Sequence, residues 1–256
     1  MSKVNEFRLE KLNRHRFEAS HFNKAILVIG ATENHGYHLP MGMDTYAAYA
    51  IAERTAAAVD GTLLLPPIHF GVSDGLMPYP FNLSLRPETL SQVVFELLES
   101  CIVQGIDRFL LINGHGGNNS AIDIALRRLG REYPSAKAAV SYAWWISGPR
   151  LCPPGTFGLE NGLGHAGEAE TAAGLAIVPD LVDMDAARGE WPASPAEVSI
   201  KTTIPQISRT GATGDPTGAT REQGEKMIGA LSDYLARFLK EMDKTGWGFA
   251  REDWSF

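Results

Sequence analysis

Between residues 33 and 44 the chain presents Glu33, His35, His38 and Asp44, two carboxylates and two imidazoles on one short stretch. These side chains are the ligand types of a borderline divalent cation such as Zn, Mn or Fe. Glu33 and His35 are two apart, so on extended backbone they point the same way and can grip one centre. Gly36, Pro40 and Gly42 forbid a regular helix, which leaves the groups on a loop. The same histidines could instead bond the backbone of a polar loop, and for His38 a core hydrogen bond or a contact outside the ligand shell are both open. A second set is Asn113-Gly114-His115-Gly116-Gly117-Asn118-Asn119. Glycines ahead of a helix can cradle an anion, but the Lys-Ser/Thr pair of a phosphate loop and the spacing of a dinucleotide turn are missing. A histidine at the centre of such a turn suits a metal ligand, with Asn113 and Asn118 holding the loop through backbone bonds. A third set is His165, Glu168 and Glu170. His165 fits proton transfer. Glu168 or Glu170 would orient it or complete the metal shell. The plainer alternatives are a buried, hydrogen-bonded histidine and a carboxylate that only favours the helix dipole.

Regular elements must position these sets. The apolar run 25–29 closed by Gly30 reads as a buried strand, and loops beyond the carboxyl ends of such strands are where open α/β sheets bind ligands. An alanine-rich helix is expected over 45–59, capped by Asp44-Thr45, followed by a strand at 63–65. The connection 69–85 carries Gly71, Gly75, Pro78 and Pro80; its length marks it as functional or interfacial, with Tyr79 as a candidate substrate contact. Pro87 opens a helix over 88–104, residues 108–112 form a strand, and 120–131 form a helix. A fourth strand over 136–142 ends in Trp144-Trp145, candidates for a substrate wall. Helix 171–178, an irregular stretch 179–216 with a strand at 198–203, and a closing amphipathic helix 217–244 complete the order. A polar lead-in covers 1–23, with a short helix around 6–17, and an aromatic tail over 246–256 is expected to dock. Strands alternating with helices argue a parallel sheet with helices on both faces, in one domain spanning 1–256.

Composition narrows the classes. The 256 residues are 44% hydrophobic and 21% charged, with a net charge of −7, so neither nucleic acid nor an anionic membrane is an expected partner. Two cysteines, Cys101 and Cys152, make no disulfide framework and fit a reducing compartment. The polar first residues lack a secretory h-region and no run approaches a membrane span, so a soluble cytoplasmic protein is expected.

The three sets, with Gly211 and Gly214-Asp215-Pro216 downstream, resemble the creatininase family in order and spacing. The resemblance runs from the first strand to the final helix. It implies an αβα sandwich with a mainly parallel sheet, a homohexamer, and a site holding one or two divalent metals. By resemblance Glu33, Asp44 and His115 hold one metal, and His35 with a bridging Asp44 holds the second. In the creatinine-hydrolysing branch a glutamate two residues after the third-strand histidine also binds the second metal; here that residue is Gly117, so Glu170 or water would have to fill the position. That branch also carries a tryptophan just ahead of the loop histidine, and residues 161–164 offer none. The Gly-Gly version resembles members that hydrolyse formamides, trim a peptide precursor or open keto-inositol rings. The expected chemistry is metal-assisted hydrolysis of a C–N amide in a small molecule, with His165 protonating the leaving group. A ring-opening C–C hydrolase, a metal-dependent isomerase or lyase, and a non-catalytic scaffold are the rivals.

Overall fold

The computed structural model describes residues 6–192 and 203–248. Four strands form one parallel sheet: β1 (Lys24–Ile29), β2 (Thr62–Leu64), β3 (Arg108–Asn113) and β4 (Lys137–Ser141), in the order β2-β1-β3-β4. The registers Ala25 to Phe109 and Phe109 to Ala138 run in phase along the central strands. All six residues of β1 are buried, as a strand covered on both faces must be.

Strand periodicity splits the core in two. Ile26, Val28, Leu110 and Ile112 face one side, packed on α2 (Met43–Ala57), α5 (Trp144–Arg150), α6 (Glu168–Ile177) and α7 (Arg221–Lys244). Ala25, Leu27, Ile29, Phe109 and Leu111 face the other, packed on α3 (Pro87–Val103) and α4 (Asn119–Glu132). The result is the expected three-layer αβα sandwich. The chain passes from β1 to β2 on one side and then to β3 on the other, so strand order reverses between β1 and β3. Their carboxyl ends therefore open a crevice at a topological switch point.

Several boundaries move for physical reasons. The expected helix around 6–17 breaks into a single 3-10 turn at Leu9–Lys11 and the short α1 (Arg14–Glu18), capped by Asn13 accepting from the Arg16 N–H. Phe7 and Arg8 instead extend the β2 edge, where the Leu64 N–H donates to the Phe7 carbonyl at 2.8 Å. Trp144 and Trp145 do not end a strand; they open α5, whose first turn closes on the Ala143 carbonyl. The last helix starts at Arg221, four residues later than expected, because Thr220 and Gln223 form a reciprocal capping box there. Of the expected strand at 198–203, residues 198–202 lie outside the described residues, and Thr203 precedes a 3-10 turn. Of the aromatic tail, 249–256 lie outside them too; Trp247 is buried, its indole N–H on Asp243 Oδ1. Among the described residues no helix is long and apolar enough to cross a membrane.

Candidate metal centre

The crevice is furnished by three segments. The loop after β1 closes on itself, the Glu33 N–H donating to the Met41 carbonyl at 3.0 Å, and delivers Asp44 into the first turn of α2. The loop after β3 lies directly against that turn: a Cβ on Gly114 would stand 2.3 Å from the Asp44 carbonyl oxygen, so only glycine permits the approach that brings His115 beside Asp44. Asn113 and Asn118 hold this packing. The Asn113 amide donates to the carbonyls of His115 and Tyr142, and the Asn118 amide donates to the carbonyls of Ile29 and Gly30. The third segment, residues 163–170, brings His165 and the start of α6.

His115 Nδ1 lies 3.1 Å from Glu33 Oε1 and 3.3 Å from Asp44 Oδ2. Its other nitrogen donates to the Val72 carbonyl at 2.9 Å, which turns the Nδ1 lone pair toward the carboxylates, the arrangement usual for a metal-binding imidazole. His35 is oriented likewise: Nδ1 donates to the Glu33 carbonyl at 3.2 Å, and Nε2 faces Asp44 Oδ1 at 3.1 Å and Glu170 Oε2 at 3.8 Å. The two oxygens of Asp44 thus serve different imidazoles. Ligand atoms of Glu33, Asp44 and His115 lie within 4.8 Å of one another, as do those of His35, Asp44 and Glu170, and those of Glu33, His35 and His165.

Electrostatics distinguish this cluster from a polar loop. Glu33 and Asp44 are 0% and 2% exposed, yet Glu33 Oε2 accepts no hydrogen bond and the other carboxylate oxygens meet only the imidazole nitrogens of His35 and His115. Buried carboxylates without donors are costly unless a cation meets them. The chain substitutes protons: burial opposes charge on His35, but Asp44, Glu170 and Glu33 outweigh it and raise its pKa to about 10. His115 is raised well above its usual value against the same desolvation, chiefly by Glu33 and Asp44. Burial pushes Glu170 up to about 7, with His35 opposing. A pocket that draws protons onto two imidazoles is one that favours divalent cations, and the donor set of Glu, Asp and His fits Zn, Mn or Fe.

His165 sits at the rim of the cluster. Its Nε2 donates to the Asn34 carbonyl at 2.6 Å, and its ring lies 4.5 Å from that of His35. Burial and the neighbouring His35 lower its pKa to about 4, so it is neutral near pH 7 with a free lone pair on Nδ1. His38 lies behind, its Nε2 on Thr171 Oγ1 at 2.8 Å, a core bond rather than a ligand.

Three expected roles are corrected by geometry. Glu168 does not reach His165: its carboxylate accepts from the Gly158 N–H at 2.7 Å and from the Gln223 amide at 2.8 Å, tying the preceding loop to α7. Trp144 is 0% exposed, its indole N–H on the Gly114 carbonyl, and can touch no substrate. Tyr79 donates to the Ser208 carbonyl at 2.7 Å and stands outside the cavity lining. Trp145 alone of the three candidate contacts lines the cavity, a 220 Å³ space that it shares with His115, Leu163, Gly164, His165 and Glu170. It packs edge-on against Trp144 at 6.0 Å between centroids. Sequence reasoning missed the anchors Val72 and Asn34, because each acts through a backbone carbonyl that any residue carries.

Comparison with known proteins follows the same lines. The sequence matches the family described as Creatininase, creatinine amidohydrolase, over residues 10–239. It is 31% identical over 219 residues to the mycofactocin precursor peptide peptidase of Mycobacterium ulcerans (strain Agy99), covering 81% of each chain. The fold matches the solved structure of a putative creatinine amidohydrolase from Bacteroides fragilis NCTC 9343 with a TM-score of 0.82 at 28% identity, covering 94% of this chain and 97% of that one. It also matches a single-residue variant of creatininase of the Zn-Zn type, with a TM-score of 0.77 at 27% identity, covering 92% and 98%.

Proposed function

The chain belongs to the creatininase family of hydrolases, and from that premise we propose that it cleaves the C–N bond of an open-chain amide, in a peptide-like or formamide-type substrate, rather than creatinine. One observation carries this reading: among the described residues Trp145 is the one indole or phenyl ring that lines the cavity beside His115 and His165, so no second such ring sandwiches a flat heterocycle. A volume of 220 Å³ suits a scissile group and its neighbours, below the several hundred Å³ of pockets that engulf a larger ligand. The peptidase named among the relatives supports the peptide-like end of this range.

Glu33, Asp44 and His115 are the residues that would hold the principal ion. A divalent cation bound there supplies a Lewis acid for the substrate carbonyl and lowers the pKa of water toward ~7. The protein's own part is proton management. The Asn34 carbonyl fixes His165 as the Nε2–H tautomer, so Nδ1 begins as an acceptor and takes the proton of the attacking water. It then returns that proton to the departing nitrogen. His165 works as base first and acid second, a revision of the acid-only role expected from sequence. Trp145 covers one side of the reacting group. Cytoplasmic location and a homo-oligomer belong to the same proposal. Tyr37 and Phe81, 67% and 86% exposed on loops joined by the Thr32–Leu83 bridge, suit burial between copies.

The test is turnover in 18O water of zinc- or manganese-loaded protein with creatinine, an N-formyl amine, short peptides and a keto-inositol. Hydrolysis of peptides or the formyl amine, with one solvent oxygen in the product carboxylate, is expected. Preference for creatinine or the keto-inositol, or turnover without label, overturns the reading.

A further inference from the structure

We propose that this chain builds its second cation position from His35, Asp44 and Glu170, with the carboxylate delivered by the first turn of α6 instead of the loop after β3. The inference rests on the metal reading above and specifies its second site. Three observations converge on it.

The first is the split use of Asp44, whose Oδ1 faces His35 and whose Oδ2 faces His115, so that one carboxylate can bridge two ions. The second is Glu170 itself. It is 5% exposed, its Oε2 is pinned at 2.7 Å by the Ala166 N–H, and it borders the cavity 3.8 Å from the His35 nitrogen that the Glu33 carbonyl leaves free. Ala166 holds a left-handed backbone (φ 51°), a strained conformation for a residue with a Cβ, and it is this turn that aims its N–H at Glu170. The third is the closure of the alternative. A Cβ on Gly117 would lie 2.0 Å from the Val72 carbonyl oxygen and 2.5 Å from His115 Nε2. Val72 is the acceptor that orients His115, so any side chain at 117 would break the first site in order to reach the second. With position 117 closed, Glu170 is the carboxylate that stands with His35 and Asp44 within ligand distance.

The two positions consequently belong to different parts of the fold. Glu33, Asp44 and His115 sit on the β1–β3 switch point, whereas the second depends on how α6 docks. Removing Glu170 should therefore empty one position and spare the other.

The experiment is elemental analysis of protein dialysed against excess Zn2+ and then against metal-free buffer, for the wild type, Glu170→Gln and Glu168→Gln. Glutamine at 170 keeps an acceptor for the Ala166 N–H, and Glu168 shares the helix turn while facing Gly158 and Gln223, so it controls for damage to α6. The expected result is two equivalents in the wild type and in Glu168→Gln, and one in Glu170→Gln. Two equivalents in Glu170→Gln, or one in the wild type, overturns the proposal while leaving a metal enzyme. None in the wild type overturns the metal reading itself. Electron paramagnetic resonance of the Mn2+-loaded wild type needs no variant: an exchange-coupled pair is expected from a shared Asp44, and an isolated six-line signal at full loading counts against it.

Discussion

Strand β1 has a buried charge near each end, and the two are treated in opposite ways. At its start Lys24 is 2% exposed and fully engaged: Nζ donates to Asn23 Oδ1 and the Asp60 carbonyl, both at 2.8 Å, and pairs with Asp243 Oδ2 at 3.0 Å. Just past its other end Glu33 and Asp44 are as deeply buried, but among the described residues no lysine or arginine meets them and their carboxylates face only the titratable rings of His35 and His115. A satisfied buried charge fastens α7 to the sheet, while an unsatisfied one stores an attraction for something the chain itself does not provide. The contrast separates stability from function along one strand.

The largest test of that contrast is Asp44→Ala. Because Asp44 touches both imidazoles, hydrolysis should fall by about 10³ or more, corresponding to several kcal/mol of lost cation chemistry. In the metal-free protein Asp44→Ala takes the counter-charge from His35 and His115, whose pKa values should fall back so that both rings can be buried neutral and the chain still folds; steady-state rates and calorimetry check both halves. Lys24→Met should do the reverse. It leaves Asp243 with the Trp247 N–H but without its cation, and since that side chain is 34% exposed the cost should be about 2 kcal/mol, below the range for a fully buried pair, with activity per folded molecule unchanged. Denaturant titration reads the first and active-site-normalised rates the second. If Lys24→Met abolished activity in folded protein, the division drawn here would fail.

Trp145→Ala sharpens the comparison on the substrate side. It should raise KM roughly tenfold through loss of one aromatic wall, with kcat less affected, whereas Trp144→Ala should destabilise by about 3–5 kcal/mol through a core cavity. The smallest effect concerns pH. In the metal-free protein His35 and Glu170 both titrate above their unfolded values, to about 10 and about 7. The stabilising charge on His35 is fully present below about 6.5 and is lost as pH rises toward 10, whereas the cost of burying Glu170 accrues between about 4.5 and 7 and is nearly complete before that window opens. Metal-free protein should therefore melt a few degrees lower at pH 9 than at pH 6.5. Cation binding must displace those protons, so affinity should rise over the same interval. Opposite slopes with and without Zn2+ in a thermal-shift series are the expected signature; parallel slopes would mean that the cations bind elsewhere.

Much of the site was legible before the fold. Glu33, His35, Asp44 and His115 carry functional groups rare in buried loops, and apolar runs around them predicted the strand ends that gather them. Where the reading failed, type and spacing did not carry direction. Glu168 and Glu170 are two residues apart on one helix turn, and only docking against α7 sends the first to Gln223 and leaves the second facing His35. Trp144 and Trp145 are adjacent and chemically identical, yet one is sealed beneath the Gly114 carbonyl and the other borders the cavity. Tyr79 lies on the long connection, as expected, but its hydroxyl is spent on the Ser208 carbonyl.

By itself the sequence determined the layer order, the parallel sheet and which candidate cation-binding groups the chain carries, because hydrophobic period and side-chain chemistry are local properties of the chain. Tertiary structure alone decided which nitrogen of each histidine faces inward, since Val72, Glu33 and Asn34 act through backbone carbonyls. It also decided that position 117 is closed and Glu170 is near. Those outcomes depend on distances between segments far apart in the chain, and such distances exist only once β1, β3 and α6 have packed together.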